Sequence, residues 1–240
     1  MKVCVLGASG NVGRRVAARA LAEGHTVTAV LREASRLPPA LADRVEVRVA
    51  DHACPRALAE AIDGHDAAVG TAGYLTDPGY IELVDRVVEA AETSLGRGGR
   101  FWMMAGAALL DVPGTGRMTL SYPKVPPMYR AHRINYDRVR RTVLDWSVLC
   151  PGPMTDAPDG EPTRGLTLSA ETWPVRRWPL ARLLPDIVTS LNFARSVPRM
   201  TIFYEDAARV IVDHLATKGA YSGRRVGIAL PGNATHRKQP

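Results

Sequence analysis

Three glycines near the start of the chain have the spacing of a phosphate-binding turn. Gly7, Gly10 and Gly13 form a GxxGxxG motif between an apolar run, predicted as a strand, and a predicted helix. The first glycine permits a tight turn, the second lets a pyrophosphate approach the backbone, and the third lets the helix pack on the strand. A diphosphate would then meet free N–H groups at the positive end of the helix dipole. The motif predicts a dinucleotide site, and the alternative is a glycine turn with a purely structural role.

The residue after the second predicted strand indicates which dinucleotide is bound. A site for NAD usually has an acidic residue there, which accepts hydrogen bonds from the ribose hydroxyls. This chain has Arg32 at that position, and a guanidinium matches a 2′-phosphate. Arg14 follows the glycines and adds a second cation, whereas Glu33 is the competing feature. We predict that NADP(H) is preferred, with NAD(H) as the alternative.

Short apolar runs alternate with helical patterns, which is typical of a doubly wound, parallel α/β sheet of the Rossmann type. Asp51 follows the third strand, and Thr71 and Ala72 follow the fourth, where such a sheet presents groups to adenine and to the nicotinamide ribose. The predicted strands cover residues 2–6, 26–31, 45–49, 67–70, 100–104 and 146–150, and the predicted helices cover 12–23, 55–62, 79–95 and 127–143.

The pattern changes after residue 150, where prolines and large apolar residues replace the alternation. The prolines favour loops and short helices that fold over the carboxyl edge of the sheet and cover the substrate. A flat apolar pocket there would suit an aromatic molecule and would include Ala107, Trp173, Trp178 and Phe193; the alternative is a small second core. We predict a dinucleotide-binding core (1–150), a substrate-covering segment of the same domain (151–230) and a disordered tail (231–240). Within the second part, 205–216 is predicted as an amphipathic helix and 224–230 as an edge strand.

Composition limits the classes of partner. The net charge of +7 raises nucleic acid as a partner, but the basic residues are mostly arginines scattered along the chain, with no basic run that contains aromatics. No apolar run is long enough to span a bilayer, and three isolated cysteines favour thiols in a reducing cytoplasm over disulfides or a metal site. We expect a cytoplasmic monomer or homodimer that binds a small aromatic or conjugated molecule, and neither nucleic acid nor membrane.

Besides Arg32, three segments of the chain are informative: GASGNVG (7–13), VGTAG (69–73) and WSVLCPGPMTDAPDG (146–160). With these features the chain resembles an atypical short-chain dehydrogenase/reductase. More narrowly, it resembles the NAD(P)H-binding, NmrA-like group that includes biliverdin reductase B and flavin reductases. The resemblance implies a Rossmann fold in which the nicotinamide lies under the Pro-Gly-Pro segment. The further cofactor contacts that it implies are Ser9, Asn11, Val12, Gly73, Ala105, Gly106, Pro151, Gly152, Pro153 and Met154.

The residues for proton transfer differ from those of orthodox short-chain dehydrogenases. Those enzymes use a serine and a Tyr-x-x-x-Lys pair, whose lysine lowers the pKa of the tyrosine. Here Gly106 or Ala107 stands at the serine position, and neither Tyr129 nor Tyr136 is followed by the lysine. The lysine position falls on His132, which we expect to donate a proton as an imidazolium after a modest upward shift of its pKa. Tyr129 is the second candidate, and the alternative for His132 is a helix residue bonded to a backbone carbonyl.

The missing triad narrows the chemistry, because a delocalised acceptor spreads the incoming charge and needs no strong acid. We therefore predict an NADPH-dependent reductase that delivers hydride to a flavin, a quinone, a tetrapyrrole or an aromatic polyketide-like molecule. One alternative is a non-catalytic NADP-sensing protein of NmrA type. Another is a redox-neutral tailoring enzyme that isomerises, dehydrates or couples an aromatic metabolite.

Overall fold

The apolar strands of the chain assemble into one large sheet. The computed structural model describes residues 1–73, 78–123, 125–175, 183 and 185–236. Its strands are β1 (Lys2–Leu6), β2 (Thr26–Leu31), β3 (Glu46–Val49), β4 (Ala67–Gly70), β5 (Arg100–Met104), β6 (Asp145–Cys150), β7 (Met154–Thr155), β8 (Thr167–Ala170), β9 (Ile202–Phe203) and β10 (Arg224–Ala229).

The order of the strands across the large sheet is β3-β2-β1-β4-β5-β6-β10-β8. All neighbours pair in parallel except β10 and β8, which are antiparallel. The order reverses direction at β1, so the carboxyl ends of β1 and β4 leave a crevice between them, where doubly wound sheets bind nucleotides. The short strands β7 and β9 pair with each other in a second sheet.

Helices cover both faces of the large sheet, which confirms the predicted doubly wound fold. Two apolar cores result: α1 and α6 pack on one face, and α2 and α3 pack on the other. The central strands β1, from Val3 onward, and β4 are apolar on both sides, as buried parallel strands must be. The helices are α1 (Asn11–Ala22), α2 (Pro55–Ile62), α3 (Tyr80–Leu95), α4 (Arg130–Val139), α5 (Asp186–Met200) and α6 (Tyr204–Asp213). No helix in the described part of the chain has the length and apolarity to cross a membrane.

The C-terminal part differs from the sequence prediction in three ways. The predicted edge strand is β10, and it lies inside the sheet because β8 pairs with its outer side. The proline-rich segment contains the fifteen-residue helix α5, with Pro198 in its last turn, where short helices were expected. The polar tail is ordered as far as His236, whose N–H donates to the Pro198 carbonyl at 2.8 Å and whose ring lies 4.6 Å from that of Phe203. Residues 237–240 lie outside the described residues.

Candidate cofactor and active site

The turn between β1 and α1 has no room for side chains at its glycines. Gly7 has φ +83°, and a Cβ there would lie 2.8 Å from the Cα of Ala72. A Cβ on Gly13 would lie 2.2 Å from the Gly7 carbonyl oxygen, closer than any real contact. The Gly10 N–H donates to that same oxygen at 2.9 Å and closes the turn. The local packing therefore requires glycine at the first and third positions of the motif.

Helix α1 presents its amino end at this turn. Gly10 precedes the helix, no side chain caps it, and its first turn contains no acidic residue. Within the described residues, the N–H groups of Asn11 and Val12 have no acceptor. Arg14 lies one turn further along, with 39% of its side chain exposed and its guanidinium 3.8 Å from Asp156. Unpaired N–H groups, the positive end of the helix dipole and an accessible cation form a site for an anionic group.

The loop after β4 forms the opposite wall of the crevice. The backbone N–H of Thr71 donates to the Leu6 carbonyl at 3.0 Å, and its hydroxyl donates to the same oxygen at 2.8 Å. Thr71 thus joins the carboxyl ends of β4 and β1, and its hydroxyl proton is already used. Ala72 contacts Gly7. Gly73 has φ +96°, and because it has no side chain the ring of Tyr80 packs against its Cα.

Arg32 lies where the sequence places it, at the carboxyl end of β2, and it is exposed, as are Glu33 and Asp51. Arg32 forms no ion pair within the described ranges of the chain. Its charge and the burial of the His52 ring both lower the pKa of His52. Asp51 accepts the N–H of Ala53 at 2.9 Å, which shapes the loop after β3. An unpaired guanidinium at this edge is accessible to a phosphate.

His132 on α4 is buried next to the end of β5. A Cβ on Gly106 would lie 3.0 Å from its Nε2 atom, so the imidazole fills the space into which a side chain at residue 106 would project. The ring of Tyr80 meets it edge-on at 6.0 Å, and the half-buried ring of Tyr129 stacks on it at 6.1 Å between centroids. Its Nδ1 atom has no hydrogen-bond partner in the described residues.

Burial lowers the pKa of His132 to about 4, so its imidazole is neutral at neutral pH. The expectation of an imidazolium with a raised pKa is therefore wrong, because burial of the ring penalises its charged form. The alternative of a bond to a backbone carbonyl finds no support either, since Nδ1 is unpaired among the described residues. His132 can donate a hydrogen bond from a neutral ring, but it is not an acid of useful strength.

Two buried polar residues near His132 were missed by the sequence analysis. Tyr80 begins α3 and packs between Gly73 and His132, and burial raises the pKa of its hydroxyl while the neighbouring Asn135 side chain opposes that rise. Asn135 lies one turn after His132 and is 1% exposed, and its Nδ2 atom has no partner within the described part of the chain. A polar residue three positions after a candidate histidine is the sequence signal that could have identified Asn135.

The Pro-Gly-Pro segment lies beside the loop after β5. The Pro151 carbonyl accepts the Ala107 N–H at 2.8 Å, and the Gly152 N–H donates to the Met200 carbonyl at 3.1 Å. A Cβ on Gly152 would lie 2.7 Å from that carbonyl oxygen, so the close approach requires glycine. Pro153 accepts the N–H of Ile202 at 3.1 Å and leads into β7, which starts at Met154. Residues 151–154 and 105–107 thus form one edge of the crevice.

The predicted substrate contacts are mostly parts of a core. Trp173 is buried, its Nε1–H donates to Thr119 Oγ1 at 2.8 Å, and its ring lies 4.9 Å from that of Phe193. Both side chains belong to the large apolar core on the α2 and α3 face of the sheet, rather than to a separate small core. Ala107 is also buried, and Trp178 lies outside the described residues.

A cavity of about 40 Å³ separates the loop after β4 from α3, with Thr71, Gly73, Tyr80 and Met103 among its lining residues. It has room for water and not for an aromatic substrate.

A family model described as NAD(P)H-binding matches residues 7–190 of the chain. Comparison with curated proteins gives no match. The matched range contains the glycine turn, Arg32, the loop after β4, His132 and the Pro-Gly-Pro segment.

Solved structures with the same fold include three of differing description, all below 25% identity, so these likenesses show the fold alone. A proposed NADH–flavin reductase from Streptococcus pneumoniae is 23% identical, with a TM-score of 0.70, over 96% of this chain and 99% of that one. A proposed epimerase from Bacteroides thetaiotaomicron is 22% identical, with a TM-score of 0.74, over 99% of each chain. A wide-type short-chain dehydrogenase/reductase from Veillonella parvula, in complex with NADP, is 18% identical, with a TM-score of 0.68, over 100% of this chain and 98% of that one.

Proposed function

The chain belongs to the NAD(P)H-binding family, and from this premise we propose that it is an NADPH-dependent reductase of planar, conjugated acceptors. The proposal has two parts, the choice of NADPH over NADH and the class of acceptor. Each part is supported by a different end of the crevice.

The residues of the crevice fit NADPH. The unpaired N–H groups at the start of α1 would bind the diphosphate, and Gly7 and Gly13 leave the backbone bare for its approach. At the adenosine end, Arg32 is exposed at the place where a 2′-phosphate would lie. A guanidinium binds a phosphate dianion through charge-assisted hydrogen bonds, whereas it gains little from a ribose hydroxyl. Arg32 is therefore the residue that favours NADPH.

The neutral imidazole of His132 is the single observation that carries the acceptor class. Reduction of an isolated carbonyl places a full negative charge on one oxygen, which a nearby acid must neutralise. Here the group at the crevice has a pKa of about 4, held low by burial, and it cannot serve as that acid at neutral pH. A flavin or a quinone delocalises the charge and takes its proton from solvent. The site therefore suits a conjugated acceptor.

Bound NADPH supplies a hydride, and the protein supplies orientation and a dry environment. The amino end of α1 and Arg32 hold the phosphates and so fix the cofactor along the crevice. The absence of a side chain at Gly106 makes room for the His132 ring at the carboxyl end of β5, where the ring offers a neutral N–H. The Tyr80 and Tyr129 rings shield His132 from water.

Steady-state oxidation of NADPH, followed by its absorbance, tests the proposal. The purified chain is assayed with a flavin and a quinone as conjugated acceptors and with an aliphatic aldehyde as the isolated carbonyl. We expect turnover with the conjugated acceptors and at most slow turnover with the aldehyde. Tight NADPH binding without turnover would instead support a sensor, and product without net NADPH consumption would support a redox-neutral enzyme.

A further inference from the structure

The space at the end of β5 is shared by two residues, and a side chain on residue 106 would press against the ring of His132. Gly106 stands where orthodox short-chain dehydrogenases have a serine, and a Cβ on it would lie 3.0 Å from Nε2 and 3.1 Å from Cδ2 of His132. These contacts are tighter than nine in ten real Cβ contacts, so a side chain at residue 106 would require the His132 ring to shift by a few tenths of an ångström. The edge of the ring that carries Nε2 thus lies about where a serine hydroxyl would be.

The other edge of the ring faces the interior. Nδ1 is buried and has no partner within the described ranges, and Asn135 Nδ2, on the same face of α4 one turn later, is also buried and unpaired there. Leaving a buried polar atom without a hydrogen bond is unfavourable, so two such neighbours on one helix face favour bonding to each other. The amide nitrogen is a donor and cannot accept, so the pair is complementary only if Nδ1 carries the lone pair. A small movement or one shared water would complete the bond.

The environment of Tyr80 supports this orientation of the Asn135 amide. The Asn135 side chain opposes the rise of the Tyr80 pKa, as a donor near the phenolic oxygen does and an acceptor does not. The donor end of the amide therefore faces Tyr80, whose ring in turn meets the His132 ring edge-on. In a neutral imidazole with an acceptor at Nδ1, the proton is on Nε2, next to Gly106.

We propose that His132 takes the place of the missing serine: Asn135 holds its ring in the Nε2–H tautomer, and that N–H donates a hydrogen bond to the acceptor of the hydride. The hydrogen bond from His132 to the acceptor rests on the proposed reductase function. The tautomer of His132 and the placement of its ring beside Gly106 do not rest on that function. During reduction, two electrons and one proton leave NADPH as hydride and form a bond to the acceptor, and NADP⁺ is produced. The charge on the acceptor is stabilised by Nε2–H and then neutralised by a proton from solvent, so His132 keeps its own proton. His132 is thus a catalytic residue, and Asn135 is a positioning residue.

The tautomer is tested by nitrogen NMR on the unliganded protein labelled at histidine, with the His132 signals assigned from His132→Gln. We expect the Nε2–H tautomer, unchanged as the pH is lowered to 5.5. In Asn135→Leu, which keeps the volume and removes the donor, we expect loss of that single tautomer. A wild-type ring with its proton on Nδ1, or a wild-type spectrum that Asn135→Leu does not change, overturns the proposal even if the protein reduces nothing.

The proposal that His132 replaces the serine is tested by moving the hydrogen-bond donor from residue 132 to residue 106. His132→Ala should lower turnover by about tenfold to a hundredfold with a quinone and by less with a flavin, on which charge is more dispersed. Adding Gly106→Ser to His132→Ala restores a hydroxyl in the vacated space and should recover most of the loss. Adding Gly106→Ala is the matched control and should recover none. Equal recovery by serine and alanine would mean that His132 only fills space. If wild type reduces these acceptors and serine does not recover the loss, this inference fails and the proposed function stands.

Discussion

The burial of His132 makes a quantitative prediction about stability in acid. The unfolded chain binds a proton at this residue with the ordinary pKa of 6.5, whereas burial lowers the pKa in the folded protein to about 4. The rings of Tyr80 and Tyr129 and the backbone of Gly106 face the imidazole, and burial is the whole cause of the shift. Between these two values the unfolded state binds more protons, so the free energy of unfolding falls as the pH falls.

The single-site linkage relation gives the size of this loss. At pH 4 it amounts to about 3 kcal/mol relative to neutral pH, most of it acquired between pH 6 and pH 4. Other groups titrate in this range, so the prediction concerns a difference: wild type should lose about 3 kcal/mol more than His132→Gln, which cannot take up the proton. The cost of the substitution itself is the difference at neutral pH, and it is subtracted.

Urea unfolding followed by tryptophan fluorescence, repeated from neutral pH to pH 4, measures both curves. After subtraction of the neutral-pH offset the two curves coincide at neutral pH, and we expect the free energy of unfolding of wild type to fall below that of His132→Gln by about 3 kcal/mol at pH 4. If the two curves stay parallel, the imidazole titrates alike in the folded and unfolded states. The buried, neutral His132 on which the proposed mechanism depends would then be refuted.

Three further substitutions test other parts of the site. Arg32→Glu should weaken NADPH binding by about tenfold or more and NADH binding much less, because a charge-assisted phosphate contact is replaced by repulsion. Calorimetry gives both dissociation constants. Arg44→Glu, on the exposed surface, is the control for the change in net charge. An unchanged preference in Arg32→Glu would exclude the 2′-phosphate role. Gly13→Ala should abolish dinucleotide binding, since its Cβ would lie 2.2 Å from the Gly7 carbonyl oxygen. Retained binding would show that the turn is not the phosphate site. The control Ala18→Ser, in the exposed part of α1, should leave binding intact. Trp173→Phe should destabilise the fold by about 1 kcal/mol through the lost bond to Thr119 and leave KM for the acceptor unchanged; a raised KM in the absence of destabilisation would return Trp173 to the substrate site.

The nucleotide half of the fold could be predicted because its signals are local. The glycine turn requires a strand before it and a helix after it, and Gly7, Gly10 and Gly13 lie in the structure as the motif predicts. Apolar runs buried on both faces mark the parallel strands, and the first, second, fourth and fifth strands have the predicted bounds.

The C-terminal half depends on pairing between distant segments, which local patterns do not encode. β10 lies inside the sheet only because β8, more than fifty residues earlier in the chain, pairs with its outer side. The prolines favour loops and short helices in the sequence, but Pro198 lies in the last turn of the fifteen-residue helix α5, where it interrupts little.

The charge of His132 could not be predicted from the sequence. The sequence assigns His132 to the lysine position and Gly106 or Ala107 to the serine position, and in the structure the His132 ring lies next to Gly106. Its charge state depends on burial by Tyr80, which begins a different helix and is brought there by the topology of the sheet. Spacing along one element locates a residue, but the pKa of that residue is set by the elements packed against it.

Calorimetric titration of the purified chain with NADPH and NADH tests most directly the claim that the crevice at Gly7, Gly10 and Gly13 binds a nicotinamide dinucleotide. We predict one molecule of NADPH bound per chain, with NADH bound more weakly, and no binding of either to Gly13→Ala. The absence of binding to the folded wild-type chain would contradict the account. So would binding that Gly13→Ala, shown to be folded, leaves intact.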